Sequence, residues 1–391
     1  MELLVQTYLS RFRKSWPRLV PFVVMLESLR RTHLDVCILS ISLLQDVKLN
    51  RPFYSSATDK YKNQESSYIC ANMMGFESKL SIGATIVSFS DRKLKYKVKK
   101  RIGSGSFSTV FEVQRLEDQK VFAMKVVPTT GDHRGTPNKI IFRVEATRLT
   151  QVQNHPHLME LLDLLYLENL DEGGIVLQFA TEGNLGDLHR QLPKSQHVAL
   201  SQLVTYEMTE ALHHIHSLQP AIVHRDIKPD NILVFLTGTE RKPCYLLKLA
   251  DFGISKTVDD DSDPTLPYEP MSGRAYEPYR APETAKELGE INTRGFESRA
   301  DIWSLGVVLL KILNTTISNF ATAPTRCNIP AQAVPLFKAM MMRDPSKRAS
   351  AGECKRYLWY REGASVVVHK VTNTSSGNNV LGESMKRLSI D

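Results

Sequence analysis

The order of elements along this chain predicts an α+β fold of two lobes with a cleft between them. Strand patterns lead and helical patterns follow. At 391 residues the chain is too long for one small core and suits a large two-lobed domain with extensions. Its 42% hydrophobic and 24% charged residues are those of an ordinary globular protein, neither disordered nor membrane-embedded.

From about Lys93 the run KLKYKVKKRIGSGSFSTVFEVQRLEDQKVFAMKVV alternates in period two and breaks at glycines. It predicts three strands, the first two joined by a Gly/Ser turn. Residues 138–153, NKIIFRVEATRLTQVQ, set Ile141, Val144, Leu149 and Val152 on one helix face. GGIVLQFA (173–180) reads as another strand and LVTYEMTEALHHIHS (203–217) as a helix. RADIWSLGVVLLKIL (299–313) is apolar nearly all round, which predicts a buried helix. VTNTSSGNN (371–379) is polar and of low complexity and is expected to be disordered. The domain is therefore placed at 93–361, with a small lobe over 93–180 and a larger one over 181–361. A basic extension (1–92) precedes it and a polar tail (362–391) follows.

Charge is uneven. Residues 1–100 carry 17 Lys/Arg against 8 Asp/Glu, and the rest of the chain 33 against 34. A solvated basic extension explains this better than nucleic-acid binding, and no nucleic-acid partner is expected. The apolar runs at 19–26 and 36–44 fall far short of the ~20 residues a spanning helix needs, so no transmembrane segment is expected. Arg11, Arg13, Lys14 and Arg18 give the start a weak likeness to an organelle transit peptide; a short apolar helix packing on the main domain fits as well. The five cysteines (Cys37, Cys70, Cys244, Cys327, Cys354) are scattered and without CxxC spacing, which suggests a reducing compartment and no structural metal.

The chemistry lies in four stretches. IGSGSFSTV (102–110) is a Gly-x-Gly turn between strands, and glycine lets backbone approach phosphate oxygens that a Cβ would obstruct. A plain hairpin turn would look the same, and Ser108 stands where a third glycine is usual. Lys125 sits in the apolar strand VFAMKVV and must reach water or a counter-charge; Glu145 on the next helix is the natural partner. In HRDIKPDN (224–231), Asp226 could accept a proton from an attacking hydroxyl and Lys228 could neutralise charge on a transferred phosphoryl group. Asn231 offers an oxygen to a hard cation, and KLADFGIS (248–255) adds Asp251, with Gly253 permitting a backbone reversal. Two oxygen ligands from separate loops suit Mg²⁺.

Taken together, these residues resemble the protein kinase family, and its serine/threonine branch, over about residues 96–361. The resemblance implies a bilobal kinase fold, a small β-rich N-lobe with one key helix and a larger helical C-lobe. It implies ATP and Mg²⁺ as cofactors and proteins with Ser/Thr acceptors as substrates. Gly103, Ser104, Gly105, Ser106, Phe107, Ser108, Thr109 and Val110 become the phosphate-covering loop, with Ile102 just before it also in contact with the nucleotide, and Lys125–Glu145 becomes the lobe-bridging ion pair. Asp226 becomes the catalytic base, Lys228 the residue favouring Ser/Thr hydroxyls, and Asn231 and Asp251 the metal ligands. Leu177 takes the gatekeeper position and the Gln178–Ala180 backbone the adenine-binding hinge, with Ala123 and Leu233 completing the nucleotide pocket. YRAPE (279–283) closes the activation segment, with Arg348 the expected partner of Glu283, and Asp301 is expected to anchor the catalytic loop. Arg225 implies a phosphorylated partner, with Ser272 in the usual place and Thr265 or Ser262 as alternatives, and hence an upstream kinase. The acidic run DDDSD (259–263) could occupy Arg225 instead, or simply be solvated.

The chain also departs from the family. Glu145 lies one residue further from Pro156 than usual, although Leu149 fits the regulatory-spine position. Tyr276 replaces a small residue, usually Thr, and could take over its contact to Asp226 or alter peptide docking. The stretch from Gly306 to Arg343 is short, so the helix that usually docks substrates is expected to be reduced. YRAPE is similar to cyclin-dependent and MAP kinases, yet there is no room for their insert; the pattern DFGIS…EP…Y…APE is similar to fungal single-subunit kinases that activate cyclin-dependent kinases. A pseudokinase scaffold is the rival from another class, although Lys125, Asp226, Asn231 and Asp251 are all present. A small-molecule kinase is disfavoured by Lys228 and the full YRAPE segment. The family implies a nuclear or cytoplasmic address.

Overall fold

The computed structural model describes residues 76–370, apart from 89, 106–107, 130–137, 168–169, 259–276, 285–296, 324–326 and 328. The predicted two lobes are present. The smaller is an antiparallel sheet of six strands in the order β1-β2-β3-β4-β6-β5: β1 Thr85–Val87, β2 Lys95–Ser104, β3 Thr109–Arg115, β4 Val121–Pro128, β5 Leu161–Leu167 and β6 Glu172–Gln178. Period-two alternation turns Tyr96, Val98, Phe111, Val113, Met124, Val126, Leu165 and Val176 into one apolar layer. Helix α1 (Asn138–Gln151) covers the other face and buries the predicted Val144 and Leu149, with Val152 just beyond its end.

Two strands escaped the pattern. β5 lies in ELLDLLYL, where leucines on both faces hide the alternation. β1 is only three residues long and lies upstream of the predicted start at 93. It is held by what precedes it: Phe76 and Leu80 pack on the small-lobe core. Buried Glu172 accepts Ser78 Oγ at 2.5 Å and Lys79 N at 2.9 Å. The small lobe thus extends back to Phe76.

The larger lobe is helical around two central helices, α3 (His197–His216) and α4 (Arg299–Ile312). α2 (Leu185–Gln191) precedes α3, which begins six residues before the predicted 203 and buries Leu200 in that added portion. α4 matches its predicted span, and only Arg299, Ala300, Ser304 and Lys311 escape burial. β7 (Ile222–Val223) pairs with β10 (Lys256–Thr257), and β8 (Ile232–Thr239) with β9 (Lys242–Leu249) in a hairpin. Among the described residues between the end of α4 and Arg343 the helices are short, α5 (Ile317–Thr322) and α6 (Val334–Met340), as the length of this stretch implied. α7 (Ala351–Cys354) and α8 (Leu358–Gly363) follow, and the chain remains packed to residue 370, past the predicted end at 361: Val368 is buried. No helix among the described residues is long and apolar enough to cross a membrane.

α8 packs so closely on α3 that a Cβ at Gly363 would lie 2.6 Å from the Gln202 carbonyl oxygen and 3.1 Å from Tyr206 Cβ. Backbone cannot yield as a side chain can, so Gly363→Ala is expected to destabilise the domain by about 1–3 kcal/mol. Thermal unfolding should then show a midpoint lower by several degrees; an unchanged midpoint would mean that the helices separate freely.

Candidate functional site

The sheet register gathers the expected nucleotide residues. Gly103 pairs with Val110, Val110 with Lys125, Lys125 with Ile175, and Ala123 with Leu177. Residues paired directly across strands share a face, so Gly103, Val110, Ala123, Lys125 and Leu177 line one side of the sheet. Gly105 N donates to Ser108 O at 2.8 Å, closing the turn. Ser106 and Phe107 lie outside the described residues, and Ile102 is 41% exposed at a register shift. Thr109 differs from expectation. Its hydroxyl donates to Phe76 O at 3.1 Å and accepts from Ser78 N, so alternation turns its side chain away from this face toward the upstream segment. Gln178 likewise sends its amide to Glu160 Oε2 at 2.9 Å and offers only backbone to the hinge, which Ala180 continues.

Lys125 finds its counter-charges. Its Nζ lies 2.8 Å from Glu145 Oε1 and 2.8 Å from Asp251 Oδ1, and Glu145 is fully buried. Burial alone would lower the ammonium pKa, but Asp251 and Glu145 together outweigh it and raise it. Burial lifts Glu145 above the ordinary carboxylate range against the pull of Lys125. For Asp251 burial works upward, yet Lys125 prevails and holds the carboxyl down at about 2. The carboxylate is thus charged, and its side chain is 42% exposed to the cleft.

The segment from His224 to Asn231 runs from the end of β7 into a 3-10 turn (Pro229–Asn231), so its polar island lies between buried β7 and the buried start of β8. Asp301, buried in α4, accepts His224 N and Arg225 N, each at 2.8 Å, and His216 Nε2 at 2.9 Å. The expected anchor is therefore in place. His224 is buried, reaches Ala250 O at 2.9 Å and meets the Phe252 ring edge-on at 4.8 Å. Asp226 Oδ2 accepts Lys228 Nζ at 2.6 Å and Asn231 Nδ2 at 2.8 Å. Ala250 N donates to Asn231 O at 2.9 Å, which sets Asn231 beside Asp251. One correction concerns the reversal assigned to Gly253. The left-handed residue is Asp251 itself, at φ 65°, with Arg225 at φ 70°. Aspartate tolerates that region better than most side chains, and strained non-glycine residues of this kind cluster at functional sites.

The expected pair of Glu283 and Arg348 forms, bidentate, at 2.5 and 2.7 Å. Ser262, Thr265, Ser272 and Tyr276 lie outside the described residues. Two contributors carried no sequence signal. Arg148, one turn after Glu145, donates to Thr257 Oγ1 at 3.2 Å and ties α1 to β10, just past Asp251. Glu207, buried in α3, accepts Leu247 N at 2.8 Å and supports the hairpin that ends at Asp251's loop.

A β-sheet lobe and a helical lobe, with a lysine–carboxylate pair near a loop of Asp, Lys and Asn, make up the architecture of the protein kinase fold. The chain belongs to the protein kinase family: the protein kinase domain model matches residues 96–360. It is similar to the probable serine/threonine-protein kinase fhkD of Dictyostelium discoideum, at 26% identity over 68% of this chain and 37% of that one. The ovarian-specific serine/threonine-protein kinase Lok of Drosophila melanogaster is 29% identical over 68% of this chain and 57% of its own. The serine/threonine-protein kinase cds1 of Schizosaccharomyces pombe is 26% identical over 68% and 58%. The chain thus spans between about a third and three fifths of the length of these relatives.

Proposed function

We propose that this protein transfers the γ-phosphoryl group of ATP to Ser or Thr hydroxyls of protein substrates. The observation that carries this reading is a pair of charged and polar sets, Glu145–Lys125–Asp251 and Lys228–Asp226–Asn231, brought together where Ala250 N meets Asn231 O. The hydroxyl oxygen attacks the γ-phosphorus, its proton passes to Asp226, and the bond to the β-phosphate oxygen breaks to release ADP. Lys228 neutralises charge on the group in flight, and Lys125 holds the phosphates that stay behind. Asn231 and Asp251 fit a magnesium ion. Asn231 uses its amide nitrogen on Asp226 and Asp251 uses Oδ1 on Lys125, so Asn231 keeps its one amide oxygen, Oδ1, to offer and Asp251 its second carboxylate oxygen, Oδ2. Bound there, Mg²⁺ would neutralise phosphate charge; catalysis otherwise rests on positioning and electrostatic stabilisation.

The test is transfer from labelled ATP, with Mg²⁺, to the protein itself and to a generic basic protein. Label on Ser or Thr supports the reading. Absence of label after treatment with an upstream kinase, with ATP binding retained, would favour a scaffold.

Regulation through Arg225 belongs to the same proposal. A phosphate on Ser272 carries about −1.5 to −2 charges and would pair with Arg225, ordering the segment that YRAPE closes. Ser272→Ala is expected to lower kcat/KM by roughly tenfold or more, the worth of one or two charge-assisted hydrogen bonds. Unchanged turnover in that variant would point to a segment ordered without modification.

A further inference from the structure

The chain past the family match returns to the cleft. After α8 it runs antiparallel to β9: Tyr245 N donates to Val368 O and Lys370 N to Pro243 O, each at 3.0 Å, with His369 bridged to Cys244. On the opposite edge of the hairpin, β8 holds the loop that leaves the hinge. Val234 N donates to Gly183 O at 2.9 Å, Glu182 N to Val234 O at 3.4 Å, and Asn184 bridges Leu233. Four backbone segments therefore lie side by side, with residues 182–184 at one end and 368–370 at the other. Lys370 reaches across the two inner strands and donates to Glu182 Oε1 at 2.8 Å.

We propose that Lys370 is a positioning residue for the nucleotide, fixing from outside the hairpin the loop that joins the two lobes. This rests on reading the cleft as a nucleotide site. Glu182's side chain is only 12% exposed, and a carboxylate so covered needs a cation beside it. Its other neighbour is no substitute: the Tyr245 phenol, pushed up by burial, is pushed further by the Glu182 charge. The loop has little slack. Gly183 sits at φ +74°, where a Cβ would lie 2.9 Å from Asp187 Oδ2, and Asn184 caps α2 in a reciprocal capping box with Asp187. Ala180, at the loop's start, accepts Gly183 N at 3.4 Å, and Leu233 pairs with its end. Both are expected nucleotide contacts, so slippage at Glu182 displaces the walls of the pocket. The loop that carries Asp226 and Asn231 is tied separately, by Arg225 N to Asp301 and by Ala250 N to Asn231 O. The loss should therefore fall on binding more than on chemistry.

The experiment is calorimetry on the full chain with Mg²⁺ and a non-hydrolysable ATP analogue, beside ATP kinetics and nucleotide-free melting. Lys370→Met keeps the stem and removes the charge. Affinity should fall about two- to fivefold, the range of a half-exposed ion pair, with the loss in KM for ATP and little in kcat. Lys370→Arg should restore it, Glu182→Gln should match it, and the double variant should lose no more than either single one. Affinity unchanged in Lys370→Met, losses that add, or a matching fall in the nucleotide-free melting temperature that Arg does not rescue would each overturn the proposal while leaving the kinase reading intact. A wild type that binds no nucleotide would overturn that reading and this proposal with it.

Discussion

Asp226→Asn is expected to lower kcat by about 10²- to 10⁴-fold, the usual worth of a positioned general base, while nucleotide affinity changes little. The shape of the site favours this separation. An asparagine at 226 keeps an oxygen that can accept from Lys228 and Asn231, which hold the native carboxylate at 2.6 and 2.8 Å. The backbone stays pinned, because Asp301 takes the His224 and Arg225 amides, not the Asp226 side chain. What goes is the charge and the capacity to take a proton from the attacking hydroxyl. Nucleotide should still meet Lys125, Asp251 and the sheet face of Gly103, Val110, Ala123 and Leu177. Steady-state transfer to a peptide, with calorimetry for the nucleotide, separates the two effects. A variant within tenfold of wild type would remove Asp226 as the base.

The residues that carry this prediction were legible because their chemistry is local. HRDIKPDN packs base, cation and ligand into one short loop, and a lysine in an apolar strand demands a carboxylate wherever the fold supplies one. Asp301 was legible through the family resemblance of DIWSLG, and its buried carboxylate finds its partners in two backbone amides and His216. What stayed hidden depends on pairings distant in sequence. Ser78 and Glu172, Arg148 and Thr257, and Lys370 and Glu182 are each unremarkable surface-type residues until the fold brings them together. β5 was obscured by leucine on both faces and β1 by its length. The left-handed turn at Asp251 was assigned to Gly253 because glycine is the usual occupant; the carboxylate itself takes the strained position and is thereby aimed at Lys125.

Arg348→Met is expected to destabilise the larger lobe by about 3–5 kcal/mol, the cost of leaving one member of a buried ion pair uncompensated. Arg348 is fully buried, and the Glu283 side chain is 2% exposed. The guanidinium has five N–H donors and five acceptors meet them. Glu283 takes two, Arg299 O one at 3.0 Å, Met342 O one at 2.8 Å and Arg343 O one at 3.3 Å. The cation also lies 5.1 Å from the Trp303 ring centroid. Lysine has three donors and no plane, so Arg348→Lys should recover little of the loss. Removing the orphan charge should recover more: Arg348→Met with Glu283→Leu is expected to be more stable than Arg348→Met alone, because no buried carboxylate is then left unpaired. Urea unfolding with the slope held constant measures each difference. A single-variant loss under about 1 kcal/mol would mean that water reaches Glu283 and the pair is not truly buried. Activity should fall further than stability in these variants. Glu283 fixes the short segment 277–284, whose Tyr279 meets α4 through Ser304 Oγ at 2.8 Å, the Lys311 ammonium 3.9 Å from its ring centroid and apolar packing on the Trp303–Val307 cluster. That segment closes the stretch in which substrate is expected to dock, so a chain that remains folded without Arg348 should still bind nucleotide and fail to present the hydroxyl to Asp226.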